Sequence, residues 1–222
     1  MSTLVSPALV EGLGVADVVD ALMEHHDHRA HIIDLVSPDA TRILFGPAVT
    51  VGFLPVRRDL MDPQRHSLGP AFYRAIEGLQ PQGHVLVMAS NGHPHASLGG
   101  GTKLSRLGNH GMAGVLCDGH LRDFEELLTY DVGVYCRGET VRAGGNEIQP
   151  YVAGVPVVLD GITVVPGDYV FARGGSAVII PAADVVPVLE RAREIVAAMD
   201  RAKAGMVDED PRTILEQGSR EL

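Results

Sequence analysis

Three short apolar runs constrain the fold of this 222-residue chain more than any other feature. They are HVLVMAS (84–90), AGVLCDG (113–119) and VGVYCRG (132–138). Such runs are typical of strands that are buried on both faces of a sheet. A glycine loop leading into a helix (99–111) and a short helix (122–130) separate them. This alternation of strand and helix predicts a parallel α/β unit.

The flanking segments predict an antiparallel layer and further helices. Residues 151–181 form short β runs separated by LDG, PGD and GGS turns, which favours a meandering β layer. The other predicted elements are a helix over 14–24, a bent strand over 43–55, a helix over 71–79 and a long helix over 181–204. We therefore expect one domain. Its α/β part covers 1–181, and a C-terminal helix and charged tail over 182–222 pack on a neighbouring subunit.

Charge and hydropathy restrict the expected partners. The formal net charge of −10 argues against broad binding of a phosphate backbone, which needs clustered lysine and arginine. No apolar run approaches the roughly 20 residues that span a bilayer. The N-terminal segment lacks the basic and apolar regions of a signal peptide. We expect a cytoplasmic protein that binds neither nucleic acid nor a membrane.

The two cysteines and a histidine-rich stretch could be reactive, but each also has a purely structural interpretation. Cys117 and Cys136 lie inside apolar runs, which favours reduced core thiols over a disulfide or a nucleophile. The stretch HHDHRAH (25–31) is either a metal-binding cluster or the solvated end of a helix. No matching cluster of acids or cysteines elsewhere supports the metal interpretation.

The stretch CDGHLRDFEEL (117–127) is the strongest candidate for a functional site. It lies where a buried strand ends and a helix begins, the point at which open α/β sheets bind ligands. The Arg122 guanidinium can form paired hydrogen bonds with a carboxylate or an enolate oxygen. Asp123 can hold a divalent cation directly or through its waters. Alternatively, Asp123 caps the helix and Arg122 is its surface partner.

The glycine loop before the 99–111 helix is a second candidate. Leu98, Gly99, Gly100 and Gly101 lead into a helix N-terminus, where backbone N–H groups can hold a carboxylate or a phosphate. The same glycines also fit an ordinary turn. The loop matches neither the P-loop pattern nor the dinucleotide fingerprint, and no loop suited to a methyl donor is visible.

Four segments, in their order along the chain, resemble the RraA-like family over roughly residues 12–200. They are ILFGPAVTV, LGGGTKLSRLGNHGMAGVLCDGHLRD, VYCRG and GITVVPGDYVFARGGSAVIIP. The most specific element, G-V-x-x-D-G-x-x-R-D, is intact from Gly114 to Asp123. The family includes class II aldolases for 4-hydroxy-4-methyl-2-oxoglutarate and 4-carboxy-4-hydroxy-2-oxoadipate. It also includes regulators of ribonuclease activity and members once labelled demethylmenaquinone methyltransferase.

The resemblance implies a fold, an assembly and a chemistry. The fold is a β/β/α swivelling-type domain in homotrimers or homohexamers with sites between subunits. Asp123 would help to hold Mg²⁺ or Mn²⁺, Arg122 would contact the substrate, and Leu98 to Gly101 would offer backbone amides to a pyruvyl carboxylate. The reaction would be cleavage of a 4-hydroxy-2-oxo acid through a pyruvate enolate, without an organic cofactor. An enolate needs a Lewis acid and preorganised donors of this kind.

Two departures from the family pattern leave alternatives open. Gly100 stands where family members usually carry an acid, and Ala172-Arg173-Gly174-Gly175-Ser176 replaces the usual A-D-x-D-G. Histidines could then provide acid–base groups: His120 first, inside the motif, and His95 and His110 nearby. The alternatives are a diverged enzyme that performs an elimination, cyclisation or isomerisation, and a non-enzymatic regulator that binds a protein partner.

Overall fold

The computed structural model describes residues 4–93 and 95–206, together with Asp210, Arg212 and Leu215. In these residues the helices are α1 (Val15–Met23), α2 (Leu68–Ala75), α3 (Gly101–Asn109), α4 (Phe124–Leu127) and α5 (Val185–Met206). The first strands are β1 (His31–Ile32), β2 (Leu44–Pro55), β3 (Val85–Ala89), β4 (Ser97–Gly99), β5 (Gly114–Cys117), β6 (His120–Leu121), β7 (Gly133–Tyr135) and β8 (Gly138–Glu139). The remaining strands are β9 (Ile148–Ala153), β10 (Val157–Leu159), β11 (Ile162–Val164), β12 (Tyr169–Arg173) and β13 (Ser176–Ile180).

The long strand β2 joins two kinds of sheet. One edge of β2 pairs in parallel with β3, and β5 and β7 follow in the same direction. The other edge pairs antiparallel with β12 near Leu44 and with β9 near Pro55. The strand order is β1-β13-β12-β2-β3-β5-β7. The predicted parallel unit is therefore continuous with β12 and β13 of the predicted antiparallel layer, whereas β10 and β11 form a separate hairpin.

A small parallel sheet, β4-β6-β8, follows the carboxyl ends of the main parallel strands. Strand β3 leads to β4, β5 leads to β6 through Asp118 and Gly119, and β7 leads to β8 through Cys136 and Arg137. The sequence analysis missed this sheet, because its strands have two or three residues and no periodicity can be read from such a length.

Both faces of the parallel strands are covered, which explains their continuous apolar sequences. On one face, Val49, Val51 and Phe53 of β2 pack in a cluster with residues of α2 and α3. On the other face, the β10–β11 hairpin packs against residues of β3, β5 and β7. The layers are therefore hairpin, sheet and helices, and the predicted α/β class is confirmed.

The first half of α5 packs within its own chain. Val185, Val188, Leu189 and Ala192 form a buried cluster with α1 and with the strands β12 and β13. The Arg191 guanidinium holds the Glu24 carboxylate with two hydrogen bonds of 2.8 and 2.9 Å. Beyond Val196 the helix is exposed as far as Met206, and its packing on a neighbouring subunit stays a prediction. Residues 207–209 and most of the charged tail lie outside the described residues.

The helix predicted over 71–79 lies earlier, at Leu68–Ala75. Pro70 falls in the first turn of this helix, where a missing N–H leaves no helical bond unmade. In the described part of the chain, no helix is both long and apolar enough to cross a membrane.

Gly114 is expected to be essential for the pairing of β5 with β7. Its φ is +151°, and a β-carbon there would lie 1.9 Å from the carbonyl oxygen of Gly133. Because neither backbone can move freely inside the sheet, Gly114→Ala should lower the free energy of unfolding by at least about 2 kcal/mol. Urea denaturation measures this loss. Gly205→Ala is the control, since a β-carbon in that exposed helical position meets no atom within 4 Å. Equal midpoints for the two variants would contradict the prediction.

Candidate functional site

A pocket of about 320 Å³ lies at the small sheet, beyond the carboxyl ends of the main parallel strands. It is lined by Ser97, Gly99, Gly100, Thr102, Lys103, Arg122, Asp123, Ala143, Gly144 and Gly145. The two predicted candidates, the glycine loop and the Arg-Asp pair, therefore form one site. They are 22 residues apart in sequence, measured from Gly101 to Asp123. The parallel pairing of β4 with β6 brings them together.

Asp123 is fixed on the N-terminus of α3. Its backbone adopts the left-handed conformation (φ +64°, ψ +47°), which aspartate tolerates better than most residues. Asp123 Oδ2 accepts a 3.0 Å hydrogen bond from the Gly101 N–H, the first of α3. The Asp123 side chain makes no capping bond to α4, although it directly precedes that helix. Its interaction with α3 therefore replaces the capping role that sequence reasoning had left open.

Arg122 lies beside this carboxylate without a close ion pair to it. Arg122 Nε is 3.7 Å from Asp123 Oδ1, and both side chains are 40% exposed. The Arg122 N–H donates to the carbonyl oxygen of Gly99 at 3.0 Å, which ties β6 to the loop. The guanidinium therefore lines the pocket with donors that remain available to a ligand.

The loop residues have different roles. Leu98 is buried in the core beneath the pocket. The Gly101 N–H is engaged by Asp123, whereas the Thr102 N–H, in the first turn of α3, has no acceptor within the helix. A β-carbon on Gly100 would lie 2.6 Å from Asp123 Oδ2 and 2.9 Å from Arg122 Cβ. A side chain at position 100 would therefore displace the two residues that define the site.

The predicted histidines lie outside the pocket lining. The ring of His120 lies over Gly138, where a β-carbon would be 3.0 Å away from it. Its centroid is 6.3 Å from that of His95. His110 ends α3 at the far end from the loop and contacts Phe72 and Tyr73. An acid–base role for His120 stays a prediction.

Sequence reasoning missed several lining residues. Lys103 follows the glycines in the first turn of α3, so its position in the loop–helix motif could have indicated it. Residues 143–145 gave no local signal. They reach the pocket because a bridge joins Ala143 to Ser97, and a β-carbon on Gly144 would lie 2.1 Å from the Ser97 carbonyl oxygen. Glycine permits this close approach.

Asp118 of the motif has a structural role. One carboxylate oxygen accepts from the Ser90 N–H at 2.6 Å, and the other accepts from the Asp160 N–H at 3.1 Å. Asp118 thus joins the end of β5 to the end of β3 and to the β10–β11 hairpin. Both of its oxygens are engaged by backbone amides, and Asp118 does not line the pocket of Arg122 and Asp123.

The second departure from the family pattern lies far from the pocket within one chain. The β12–β13 turn is at the amino end of β2, because Ala172 pairs with Leu44. Arg173 Nη1 donates to the carbonyl oxygen of Leu13 at 3.0 Å. The arginine therefore holds the N-terminal segment.

The two cysteines are free and buried. They lie side by side at the ends of β5 and β7, and each thiol donates to a carbonyl two residues further on, at 3.4 Å. Burial raises the pKa of the Cys117 thiol well above its usual value. These features are those of core thiols.

The residues of the pocket fit a hard divalent cation held largely through water. No group of three or more histidine, cysteine, aspartate or glutamate side chains in the described residues could enclose a metal ion. The pocket offers one carboxylate, and Oδ1 of that carboxylate makes no hydrogen bond within the described chain. Mg²⁺ commonly binds through one or two carboxylates and keeps several waters.

The fold and the site thus define an α/β protein with an Arg-Asp pair and a helix N-terminus at the ends of its parallel strands. The chain belongs to the RraA-like family: the family model described as "RraA-like: Aldolase/RraA" matches residues 15–178. The resemblance recognised in the sequence is confirmed, and the fold is the RraA-like α/β fold with a C-terminal helix.

The relatives differ in their names. "Protein DlpA" of Legionella pneumophila is 25% identical over 165 residues, which are 73% of this chain and 25% of that protein. A "Putative 4-hydroxy-4-methyl-2-oxoglutarate aldolase" of Halalkalibacterium halodurans is 26% identical over 117 residues, 50% of this chain and 53% of that one. The matches thus span about a quarter and about half of these two relatives.

A solved structure supports the fold. Streptomyces coelicolor RraAS2, described as an unusual member of the RNase ES inhibitor RraA protein family, gives a TM-score of 0.76. It is 25% identical, and the alignment covers 89% of this chain and 96% of that one. The family thus contains proteins named as aldolases and proteins named as inhibitors.

Asp118 is expected to contribute to stability. Asp118→Ala leaves the Ser90 and Asp160 amides without their acceptor and should lower the free energy of unfolding by about 2 kcal/mol. Asp118→Asn keeps one carbonyl oxygen as an acceptor and should lose less. Urea denaturation of the ligand-free protein measures both losses. An unchanged urea midpoint for Asp118→Ala would show that these two hydrogen bonds do not stabilise the fold.

Proposed function

We propose that this protein is a metal-dependent carbon–carbon lyase that cleaves a small 4-hydroxy-2-oxo acid to pyruvate through an enolate. The observation that carries the proposal is the convergence of Arg122, Asp123 and the N-terminus of α3 on one pocket. This set provides a cation, a cation-binding carboxylate and backbone donors around one point. An enolate has a negatively charged oxygen next to a carboxylate, and these groups complement both.

Each group has a distinct role in the proposed reaction. The Arg122 guanidinium binds and orients the oxo acid, and the Thr102 N–H at the start of α3, which has no acceptor within the helix, binds its carboxylate. Asp123, oriented by the Gly101 N–H, would hold Mg²⁺ or Mn²⁺. The bound cation would supply Lewis acidity for the enolate.

The bond changes follow from this arrangement. The 4-hydroxyl loses its proton to a base, the bond between C3 and C4 breaks, and its electron pair forms the enolate. The new carbonyl compound leaves, and protonation at C3 gives pyruvate. His120 of β6 remains our candidate for the base. We also propose that the chain forms a homotrimer or homohexamer, in which a neighbouring subunit closes the exposed side of the pocket.

The metal requirement provides the first test. Pyruvate release from 4-hydroxy-4-methyl-2-oxoglutarate and from oxaloacetate is followed by coupling to lactate dehydrogenase. We expect turnover with Mg²⁺ or Mn²⁺ and none with EDTA, because the enolate needs the Lewis acid. Restoring Mn²⁺ should restore the rate. Pyruvate release that EDTA leaves unchanged would contradict the proposal. Failure with both substrates would favour another reaction at this site or a regulatory role.

Asp123 provides the second test. Asp123→Asn keeps the size of the side chain but removes the negative charge, and we expect kcat/KM to fall at least about 100-fold. Asp131→Asn is the matched control, because Asp131 has the same left-handed backbone (φ +56°) and lies outside the pocket. Its ion pair with Arg42 is exposed, so its loss should have little effect. Equal rates for the two variants would rule out the assigned role.

A further inference from the structure

Glu126 of α4 occupies the space that a side chain on Gly101 would fill. A β-carbon built on Gly101 would lie 1.8 Å from Glu126 Oε2 and 2.1 Å from Glu126 Cδ. The three atoms nearest to that position all belong to the Glu126 carboxylate. The first residue of α3 is therefore a glycine with the carboxylate of another helix packed against it.

This carboxylate is held in place from the other side. The Tyr130 hydroxyl donates to Glu126 Oε1, one turn further along the chain. The hydrogen bond to Glu126 raises the pKa of Tyr130 to about 12, and the charges of Glu126 and Asp123 add to this effect. Tyr130 therefore remains a hydrogen-bond donor at all ordinary pH values. It fixes Oε1 and leaves Oε2 facing Gly101.

The side chains of Asp123 and Glu126 consequently both contact Gly101, the first residue of α3. Asp123 accepts the N–H of Gly101, while Glu126 covers its α-carbon. Arg122 is 3.7 Å from Asp123, and Glu126 has no cation within 4.0 Å among the residues that the structure describes. The two carboxylates therefore lack a full set of positive partners. The partial positive charge of the α3 N-terminus compensates them only in part.

We propose that Glu126 is a positioning residue for the divalent cation of this site, accepting hydrogen bonds from the water bound to it. The inference rests on the proposed function and extends it, because it assigns to α4 an acid that the loop of residues 98–101 does not carry. Asp123 lines the pocket, and the Glu126 carboxylate contacts the same first residue of α3. Groups that orient the direct ligands of a metal ion typically contribute to its affinity, and their removal weakens metal binding by about 10- to 100-fold.

The test measures Mn²⁺ binding in the absence of substrate, by electron paramagnetic resonance of the free ion. Glu126→Gln should weaken Mn²⁺ binding about tenfold. Glu125→Gln is the matched control, since it makes the same change one residue earlier on the exposed side of α4. It should bind as the wild type does. Tyr130→Phe, which removes only the donor that orients Glu126, should give a smaller loss.

A relocation variant separates the carboxylate from any effect on the helix. The double change Gly101→Asp with Glu126→Ala returns a carboxylate to the same space, which Glu126 no longer fills. We expect it to recover most of the affinity that Glu126→Ala alone loses. Far-ultraviolet circular dichroism and the urea midpoint confirm that each variant is folded.

The outcomes distinguish this inference from the proposed function. If the wild type binds Mn²⁺ and Asp123→Asn does not, but Glu126→Gln binds like Glu125→Gln, the role of Glu126 is wrong and the proposed site stands. If the wild type does not bind Mn²⁺, or Asp123→Asn binds it equally well, the proposed function fails and the inference fails with it. A selective loss in Glu126→Gln, with recovery in the relocated variant, supports both.

Discussion

Strand β2 is the constraint on which the rest of the molecule depends. It is hydrogen-bonded along both edges, and its ten residues from Leu44 to Phe53 are all buried. Alternate side chains point to opposite faces of the sheet, so that Val49, Val51 and Phe53 enter the cluster beneath the helices while Leu44 and Ala48 enter the cluster beneath the hairpin. Phe45 contributes to the third cluster, with α1 and α5. One strand thus joins all three buried clusters, and a change of its register by one residue would exchange the faces of the sheet.

The site is a consequence of how the main parallel strands end. Each of β3, β5 and β7 is followed by a short strand of the β4-β6-β8 sheet, and the links after β5 and β7 have only two residues. Such short links leave little freedom, so the glycine loop and the Arg-Asp pair approach one another from neighbouring short strands. The left-handed backbone of Asp123 then turns its side chain away from α4 and toward α3. Close packing at Gly100 and Gly144 is necessary, because a β-carbon at either would overlap a neighbour, whereas a β-carbon at Gly101 would meet only the end of the exposed Glu126 side chain.

Several expectations from the sequence agree with the structure because their signals are local. The apolar runs became buried parallel strands, and the amphipathic segment before residue 24 became α1. The long C-terminal helix was also predicted, although it begins at Val185 and not at Pro181. The boundaries of α2 were wrong, since Pro70 is accommodated within a helix that begins before it. The short strands β4, β6 and β8 could not be found, because their stability comes from one another.

The sequence by itself determined the class of fold, the family and the two short segments that carry the candidate chemistry. Hydrophobic periodicity, turn residues and the motif from Gly114 to Asp123 are properties of neighbouring residues, and they can be read without knowing the fold. Only the tertiary structure decided which of those residues meet. It separated Asp118, which holds three backbone segments together, from Asp123, which lies in the pocket. It placed Arg173 near the amino end of β2, opposite the strand ends that form the pocket, and brought the Glu126 carboxylate against Gly101. The reason is physical: these contacts join residues distant in the chain or on different helices, and only the pairing of strands and the packing of helices fixes such distances.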